Sequence, residues 1–167
     1  MKKLIAITLC AVMALSFAAC SNTSPSKDNP QKQTSGDQIP NPWVDCNAMT
    51  DAEKISGFNV TLPKKMPEGY EQKLIQAVEK KMVQVFYENG EKEILIRKAK
   101  GSEDISGDYN KYNENNTVTV DGLEISTKGN DGKINVATWS DGEYTYAITN
   151  DTGLETATIN DMVAGIR

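Results

Sequence analysis

The sequence predicts an α+β fold: an antiparallel sheet of about seven strands built from hairpins, with a short N-terminal helix and a C-terminal helix packed on it. Three observations support this fold class. Apolar and polar residues alternate with a period of two between residues 70 and 149. Asn-Gly or Asp-Gly pairs interrupt the alternation at positions 89, 121 and 141, and such pairs favour tight hairpin turns. Near the C-terminus the apolar spacing becomes helical.

The N-terminal part of the predicted domain carries a helix signal. The run Thr50-Asp51-Ala52-Glu53 has the spacing of a capping box with Thr as the N-cap, and Gly57 supplies a stop. A short helix is therefore expected from Asp51 to Ser56. The next run, Phe58 to Leu62, alternates and ends before a proline, which predicts a short strand or an extended segment.

The first hairpin of the predicted sheet has the clearest pattern. It joins Met82–Glu88 to Glu91–Lys98 through the two-residue turn Asn89-Gly90, and a strand candidate at Leu74–Val78 precedes it. The cross-strand pairs expected from this turn are Val85 with Ile94 and Val83 with Ile96. The apolar face of the hairpin consists of Val83, Val85, Tyr87, Ile94 and Ile96. The opposite face is mixed and includes Phe86.

Two further hairpins follow the same logic. The second joins Thr117–Val120 to Leu123–Thr127, and the third joins Lys133–Ser140 to Glu143–Thr149. The third is apolar on both faces. One face has Trp139, Tyr144 and Tyr146, and the other has Ile134, Val136 and Ala147. A strand of this kind lies centrally, or it carries a helix on one face and a ligand or partner on the other.

The C-terminal helix is predicted from a second capping-box spacing and an apolar stripe. The spacing is that of Thr152-Gly153-Leu154-Glu155. The stripe consists of Leu154, Ile159, Met162, Val163 and Ile166. We expect this stripe to pack on the sheet.

The composition excludes several kinds of chemistry. The chain has no His, so it cannot form a Ser-His or Cys-His catalytic pair or a zinc site with His ligands. It has 18 Lys and Arg against 23 Asp and Glu, a net charge of −5, which makes nucleic acid a poor partner. Phosphate-binding glycine motifs are missing from the sequence, and we expect no cofactor.

The N-terminus resembles a bacterial lipoprotein signal. Lys2 and Lys3 precede an apolar stretch from Leu4 to Phe17, and small residues lead to Cys20. The sequence therefore predicts three parts: a signal peptide at 1–19, a lipidated Cys20 with a disordered tether at 20–42, and a single domain at 43–167. The mature protein is expected on the extracytoplasmic face of the cell membrane, anchored by lipid rather than spanning it.

Cys46 is the one cysteine that remains after cleavage of the signal and lipidation of Cys20. It cannot form an internal disulfide by itself, so disulfides do not stabilise the predicted fold. A reactive thiol or an intermolecular bridge is one interpretation of Cys46. The favoured interpretation is a half-buried residue without reactivity, because the neighbouring ionisable groups are acids.

Two groups of residues are candidates for a site. Asp104, Asp108 and Glu114 lie in the non-periodic stretch 101–116, where oxygen ligands at short spacing suit a hard cation. Their spacing does not match a calcium loop, and a solvated crossover loop is the favoured interpretation. The second group, a possible ligand or partner surface, consists of Phe86, Trp139, Tyr144 and Tyr146. The favoured interpretation is that the C-terminal helix covers these aromatic side chains, because stripes of this kind usually belong to a core.

Several motifs together resemble a family of bacterial extracytoplasmic domains of unknown function. The motifs are Asn41-Pro42-Trp43-Val44, Met66-Pro67-Glu68-Gly69-Tyr70, the run from Gly101 to Asn110, and Trp139-x-Asp141-Gly142-x-Tyr144-x-Tyr146. The resemblance covers residues 41–167. It implies a place among small lipoproteins and the outer parts of membrane-bound anti-sigma factors of Gram-positive bacteria, and it assigns no catalytic residues. A looser likeness of fold is to lipoprotein-carrier domains, whose curved sheet holds lipid.

The sequence leaves three hypotheses for function. The first is a lipoprotein whose domain binds or senses at the cell surface without catalysis. The expected partners are the membrane, through the lipid on Cys20, and an unidentified protein or small ligand. The second is a carrier of an apolar ligand or lipid in a concave sheet. The third, a cell-wall hydrolase using two carboxylates, has the weakest support, because no pair of acids stands out among the 23.

Overall fold

An eight-stranded antiparallel sheet organises the domain in a computed structural model that describes residues 40–166. Its strand order is β1-β2-β3-β4-β8-β7-β6-β5. The elements are β1 (Val44–Cys46), α1 (Met49–Ser56), β2 (Glu71–Val78), β3 (Met82–Asn89), β4 (Lys92–Lys100), β5 (Glu114–Val120), β6 (Leu123–Asn130), β7 (Lys133–Ser140), β8 (Tyr144–Leu154) and α2 (Thr156–Gly165). The predicted fold class is confirmed. The sheet has one strand more than the seven expected, and β1 was not predicted.

Both helices lie on one face of the sheet, which we call the helix face. The predicted apolar side of the first hairpin, with Val85 and Ile96, is buried there. Helix α1 packs on β2 and β3, and α2 packs on β7 and β5. The C-terminal stripe is confirmed in part. Ile159, Met162 and Val163 are almost fully buried in this core, but Leu154 belongs to β8 and not to the helix.

The first hairpin has a different register from the predicted one. Val85 pairs with Ile96 rather than Ile94, because the turn residues are Gly90 and Glu91 and not Asn89 and Gly90. Gly90 has a φ of 63°, as at the first central position of a type II′ turn. The shift is two residues, so every side chain keeps its predicted face.

The second hairpin has the predicted turn and register. Val120 pairs with Leu123 and Val118 pairs with Ile125. Asp121 and Gly122, the two turn residues, both have positive φ, which is the geometry of a type I′ turn.

Both predicted capping boxes are wrong. Thr50 lies inside α1, whose N-cap is Ala48 without a side-chain cap, and the Glu53 carboxylate accepts a hydrogen bond of 2.8 Å from the Val60 N–H. The run at residues 152–154 belongs to β8, because Leu154 still pairs with Ile134 across the sheet. The stop at Gly57 is confirmed by its left-handed conformation.

Two other local predictions also differ from the structure. Of the two alternatives for residues 58–62, the short strand is wrong, and Phe58 packs against Tyr144 with ring centroids 5.1 Å apart. Ile134 does not share a face with Val136 and Ala147, because an irregularity between residues 134 and 136 moves it to the helix face.

Residues 39–167 form one compact unit, and the described core lies entirely within it. Within residues 40–166 the segment has a continuous buried core of its own, which is what a domain needs in order to fold by itself. The predicted signal peptide at 1–19, Cys20 and the tether up to residue 39 lie outside the described residues.

Candidate functional site

The connection between β4 and β5 crosses the face of the sheet opposite the helices. Because β8, β7 and β6 lie between these two strands, residues 101–113 must pass over all three. We call residues 101–113 the crossing segment and this side of the sheet the crossing face. The crossing segment contains no helix, and strand structure resumes only at Glu114. It thus places irregular backbone and polar side chains over the centre of the sheet.

Apolar and polar contacts hold the crossing segment on the sheet. Ile105 is buried against Ala99 of β4 and Ala147 of β8. At the start of the segment, the Thr145 hydroxyl donates a hydrogen bond to the Gly101 carbonyl. At its end, the Asn113 N–H donates to the Asn130 side chain over 2.9 Å. The segment is therefore fixed at three places along its length.

Arg97 joins the crossing segment to the middle of the sheet. Its half-buried side chain rises from β4 on the crossing face, and Nη1 donates to the carbonyl oxygens of Ile105 at 3.0 Å and Ser106 at 2.6 Å. Its Nε donates to the Gln84 side chain at 2.9 Å. Burial lowers the pKa of the guanidinium, but an arginine remains charged at any physiological pH.

A chain of side-chain hydrogen bonds continues from Arg97 to the edge of the sheet. Gln84 donates to Gln76 over 2.6 Å, and Gln76 donates to Asp45 over 2.7 Å. The chain thus spans β4, β3, β2 and β1, and it ends on a carboxylate. Each amide accepts from one neighbour and donates to the next, which fixes the orientation of the Arg97 guanidinium.

A cleft of about 420 Å³ opens between Arg97 and the crossing segment. Its other lining residues include Trp43, Lys81, Lys100, Glu103 and Tyr109. Trp43 is half-buried, and Tyr109 is 95% exposed. The cleft therefore combines cations, an acid and two aromatic rings around a fixed guanidinium.

The Arg97 guanidinium keeps unused donors. Within residues 40–166 its Nη2 has no hydrogen-bond partner, and Arg97 takes part in none of the ion pairs there. Nη2 is also not among the buried polar atoms without a partner, which are Asn150 Oδ1 and Asn160 Oδ1. Arg97 lines the cleft, and the two N–H groups of its Nη2 are engaged by no hydrogen bond within residues 40–166.

The four predicted aromatic surface residues do not share one surface. Trp139 and Tyr146 are each 4% exposed on the helix face and stack with ring centroids 5.2 Å apart. Tyr144 is half-buried beside them, with the Lys98 Nζ 4.2 Å from its ring centroid. Phe86 lies on the opposite face, because it pairs with Leu95 on the crossing face. The aromatic trio is mostly core, and Phe86 is separate from it.

A small apolar cleft lies beside this aromatic core. It measures about 280 Å³ and is lined by Leu123, Trp139, Tyr146 and Ile166, together with two acids. One of the acids, Asp141, accepts a hydrogen bond of 2.7 Å from the Tyr146 hydroxyl. Burial, and then this bond to a carboxylate, raise the pKa of Tyr146.

The three predicted cation ligands serve separate parts of the structure. Asp104 accepts from the Ser106 N–H over 2.8 Å and pairs with Lys128 at 3.6 Å. Asp108 accepts from the N–H of Asn110 and the hydroxyl of Tyr112, and Glu114 accepts from the Gly132 N–H. Within residues 40–166 no three acidic or cysteine side chains are grouped so that they could hold a metal ion.

Cys46 is half-buried in the edge strand β1, where its Sγ lies 3.5 Å from the Val44 carbonyl oxygen. Burial, followed by the charges of Asp51 and Asp45, raises the pKa of the thiol. A raised pKa favours the protonated thiol over the reactive thiolate. The geometry is consistent with the interpretation of Cys46 as an unreactive residue.

Sequence reasoning missed Arg97, Trp43 and Tyr109 as site residues. One signal for Arg97 was present: it and Arg167 are the two arginines among 18 basic residues. An arginine in the interior of a predicted strand, in a chain that otherwise uses lysine, indicates a need for the planar guanidinium. Trp43 and Tyr109 lie in two of the motifs that carry the family resemblance, but their place at the cleft depends on the path of the crossing segment.

Neither helix within residues 40–166 is long and apolar enough to span a membrane.

Comparison with known proteins places the chain in a family. No curated protein and no solved structure gives a significant match. The family model described as "Domain of unknown function (DUF4367)" matches residues 60–164, which include β2 to β8, the crossing segment and nearly all of α2. The chain therefore belongs to the DUF4367 family.

Proposed function

We propose that this protein is a lipid-anchored protein of the cell surface whose domain binds a partner or ligand at the Arg97 cleft without catalysis. The observation that carries the proposal is the fixed guanidinium with free N–H groups at the cleft. Holding an arginine half-buried in a sheet has a desolvation cost, which a purely structural role could avoid with apolar side chains.

The composition of the cleft supports binding. Its volume of about 420 Å³ lies within the range of small-ligand sites, roughly 300–1,000 Å³. Arginine, tryptophan and tyrosine are the residues most enriched among those that dominate binding energy. Arg97, Trp43 and Tyr109 bring one of each to the same cleft. Tyr109, at 95% exposure, gains the most burial if a partner covers it.

The chemistry of the cleft favours binding over reaction. Asp104 and Asp108 already accept hydrogen bonds from the crossing segment, so their carboxylates serve its conformation. The chain has no His to act as a general base near neutral pH. The groups at the cleft therefore suit recognition of charge and shape.

The anchor is proposed from the sequence around Cys20. Replacing Cys20 by Ser removes the thiol that accepts lipid and should release the protein from the membrane fraction in its host. Incorporation of a clickable palmitate analogue and protease accessibility on intact cells measure lipidation and location. Wild-type protein that stays in the membrane fraction without taking up the label would contradict the lipid anchor. So would wild-type protein that is shielded from protease in intact cells.

Cross-linking on intact cells tests the cleft. A photoreactive phenylalanine at Tyr109 should capture a surface partner, and Arg97→Gln in the same chain should abolish the product. The same probe at Lys92, an exposed residue of the first hairpin, is the matched control. It should not capture the partner that the probe at position 109 captures. No product from position 109, or a product that survives loss of Arg97, would contradict binding at the cleft.

An apolar-ligand carrier is the second candidate. The observation that favours it is the apolar cleft beside Trp139 and Tyr146, at about 280 Å³. This volume falls below the usual range of ligand sites, and both side chains are nearly fully buried against their neighbours. Binding of an apolar fluorophore to the purified domain, and its displacement by lipid, would support the carrier function.

A further inference from the structure

We propose that the Arg97 cleft recognises a carboxylate, of the kind found at the free C-terminus of a peptide. This inference rests on the proposed binding function and names the chemistry of the ligand. Its basis is the set of Arg97 N–H groups that are not already engaged in hydrogen bonds. Nε and Nη1 are engaged with Gln84 and the crossing segment, and Nη2 presents two N–H groups.

The number of free donors favours a carboxylate over a phosphate. The two N–H groups of Nη2 diverge, so one of them can donate to a carboxylate oxygen, whereas a phosphate site needs donors converging on three oxygens. The charges around the cleft point the same way. Glu103, Asp104 and Asp108 line it together with Arg97, and three acids oppose a dianion more strongly than a monoanion.

The remaining cleft residues fit the body of a peptide. Glu103 is exposed and makes no ion pair within residues 40–166, so it can accept a peptide N–H or an ammonium group. Trp43 and Tyr109 offer ring faces to apolar parts of the ligand. A carboxylate with amide groups behind it uses all of these features at once.

The orientation of Arg97 is set before a ligand arrives. The chain Asp45–Gln76–Gln84 holds Nε, and the carbonyls of Ile105 and Ser106 hold Nη1. A preorganised donor loses little side-chain entropy on binding, which raises affinity for a small anion. Lysine has the same charge but cannot make these bonds and also keep a fixed donor toward the cleft, so it should not replace arginine here.

A titration followed by NMR tests the proposal on the folded segment 39–167. The probes are N-acetylglycylglycine with a free carboxylate, the same compound as its C-terminal amide, and inorganic phosphate. The free acid should shift the Arg97 side-chain signal and the amide signals of Ser106 and Gly107. The amide compound should not shift them, and phosphate should bind at least about tenfold more weakly than the free acid.

Two variants serve as controls. Arg97→Lys should weaken binding of the free acid about tenfold or more, because the free N–H pair is lost. Lys92→Gln removes an exposed cation of the same strand outside the cleft and should change affinity by less than about threefold. Cooperative thermal unfolding of each variant shows that it is folded before it is titrated.

The outcomes separate this inference from the proposed function. No shift with the free acid, equal shifts with acid and amide, or phosphate as effective as the acid would each overturn carboxylate recognition. Arg97-dependent cross-linking from position 109 would still support the cleft as a binding site in those cases. Failure of that cross-linking contradicts binding of a surface partner at the cleft, whatever the titration shows.

Discussion

The Nη1 atom of Arg97 lies 2.6 Å from the carbonyl oxygen of Ser106. This bond connects the fourth strand of the sheet to the segment that crosses its face. Because the same guanidinium also bonds to Ile105 and Gln84, this one side chain ties the middle of the crossing segment to the sheet. Stability and binding at the cleft should therefore change together when Arg97 is altered.

Loss of Arg97 should destabilise the domain. Arg97→Ala leaves the carbonyls of Ile105 and Ser106 and the Gln84 side chain without their donor, and we expect a loss of about 2–3 kcal/mol in the free energy of unfolding. Urea denaturation of the segment 39–167 measures it. Lys92→Ala, at an exposed position of the same strand, should cost less than about 0.5 kcal/mol. Equal effects would show that the Arg97 bonds contribute little.

Alanine should be tolerated less well at Gly107 than at Gly90, a glycine with a similar φ. Gly107 and Gly90 have φ values of 65° and 63°, so alanine is strained to a similar degree at both. A Cβ at Gly107 would collide with Arg97 Nη1, whereas a Cβ at Gly90 meets nothing within 4 Å. The collision is relieved only if the guanidinium leaves its carbonyl partners.

The expected difference follows from that displacement. Gly107→Ala should lower the free energy of unfolding by at least about 1 kcal/mol more than Gly90→Ala does. Urea denaturation of the two variants side by side gives the difference. Equal losses would mean that Arg97 moves aside without cost.

The Tyr146 hydroxyl should contribute to stability through Asp141. Tyr146→Phe removes a hydrogen bond of 2.7 Å to a carboxylate, and we expect a loss of about 1.5–3 kcal/mol. Tyr87→Phe is the matched control, since Tyr87 is also buried but its hydroxyl makes no hydrogen bond within residues 40–166. Thermal and urea unfolding should show a much smaller change for Tyr87→Phe. A similar loss in both would assign the effect to packing around the rings.

Protonation of the Asp104 carboxylate should lower the stability of the domain in acid. Hydrogen bonds from Ser106, first from its hydroxyl and then from its N–H, together with Lys128, hold the pKa of Asp104 below its usual range, although partial burial opposes them. A folded-state pKa below the unfolded value means that the stabilisation is present above the unfolded pKa, about 3.9. It is lost as the pH falls from there through the folded pKa.

Asp104→Asn tests this pH dependence. The difference in free energy of unfolding between wild type and variant should be constant near neutral pH and should shrink from about pH 4 downward. Glu103→Gln removes a neighbouring charge but no bond to Ser106, so it should keep the acid dependence of the wild type. A difference that does not change with pH would contradict the role of Asp104.

The elements of the fold were accessible from the sequence because they follow from local patterns. The Asp121-Gly122 turn sets the register of its hairpin through two residues that accept positive φ. The pair Asn89-Gly90 placed the predicted turn one residue too early. Of these two residues only Gly90 has positive φ, and the turn consists of Gly90 and Glu91. The faces were still right, since a shift of two residues preserves the alternation.

The candidate site was not accessible, because it depends on long-range pairing. Nothing local to Lys100 or Tyr144 indicates that their strands are neighbours, yet this pairing sends residues 101–113 across the sheet. The same pairing brings Ser106 to Arg97 and Tyr109 to the cleft. The aromatic residues Trp139 and Tyr146 attracted attention by their chemistry, and the structure uses them mainly as core.

Native mass spectrometry of the segment 39–167, purified gently from its own host, tests binding at the Arg97 cleft most directly. We predict that the wild-type segment retains a non-covalent ligand and that folded Arg97→Gln is recovered as the bare chain. A bare wild-type chain would contradict a ligand retained in the cleft, and the same added mass on both proteins would contradict the cleft as the binding site of that ligand.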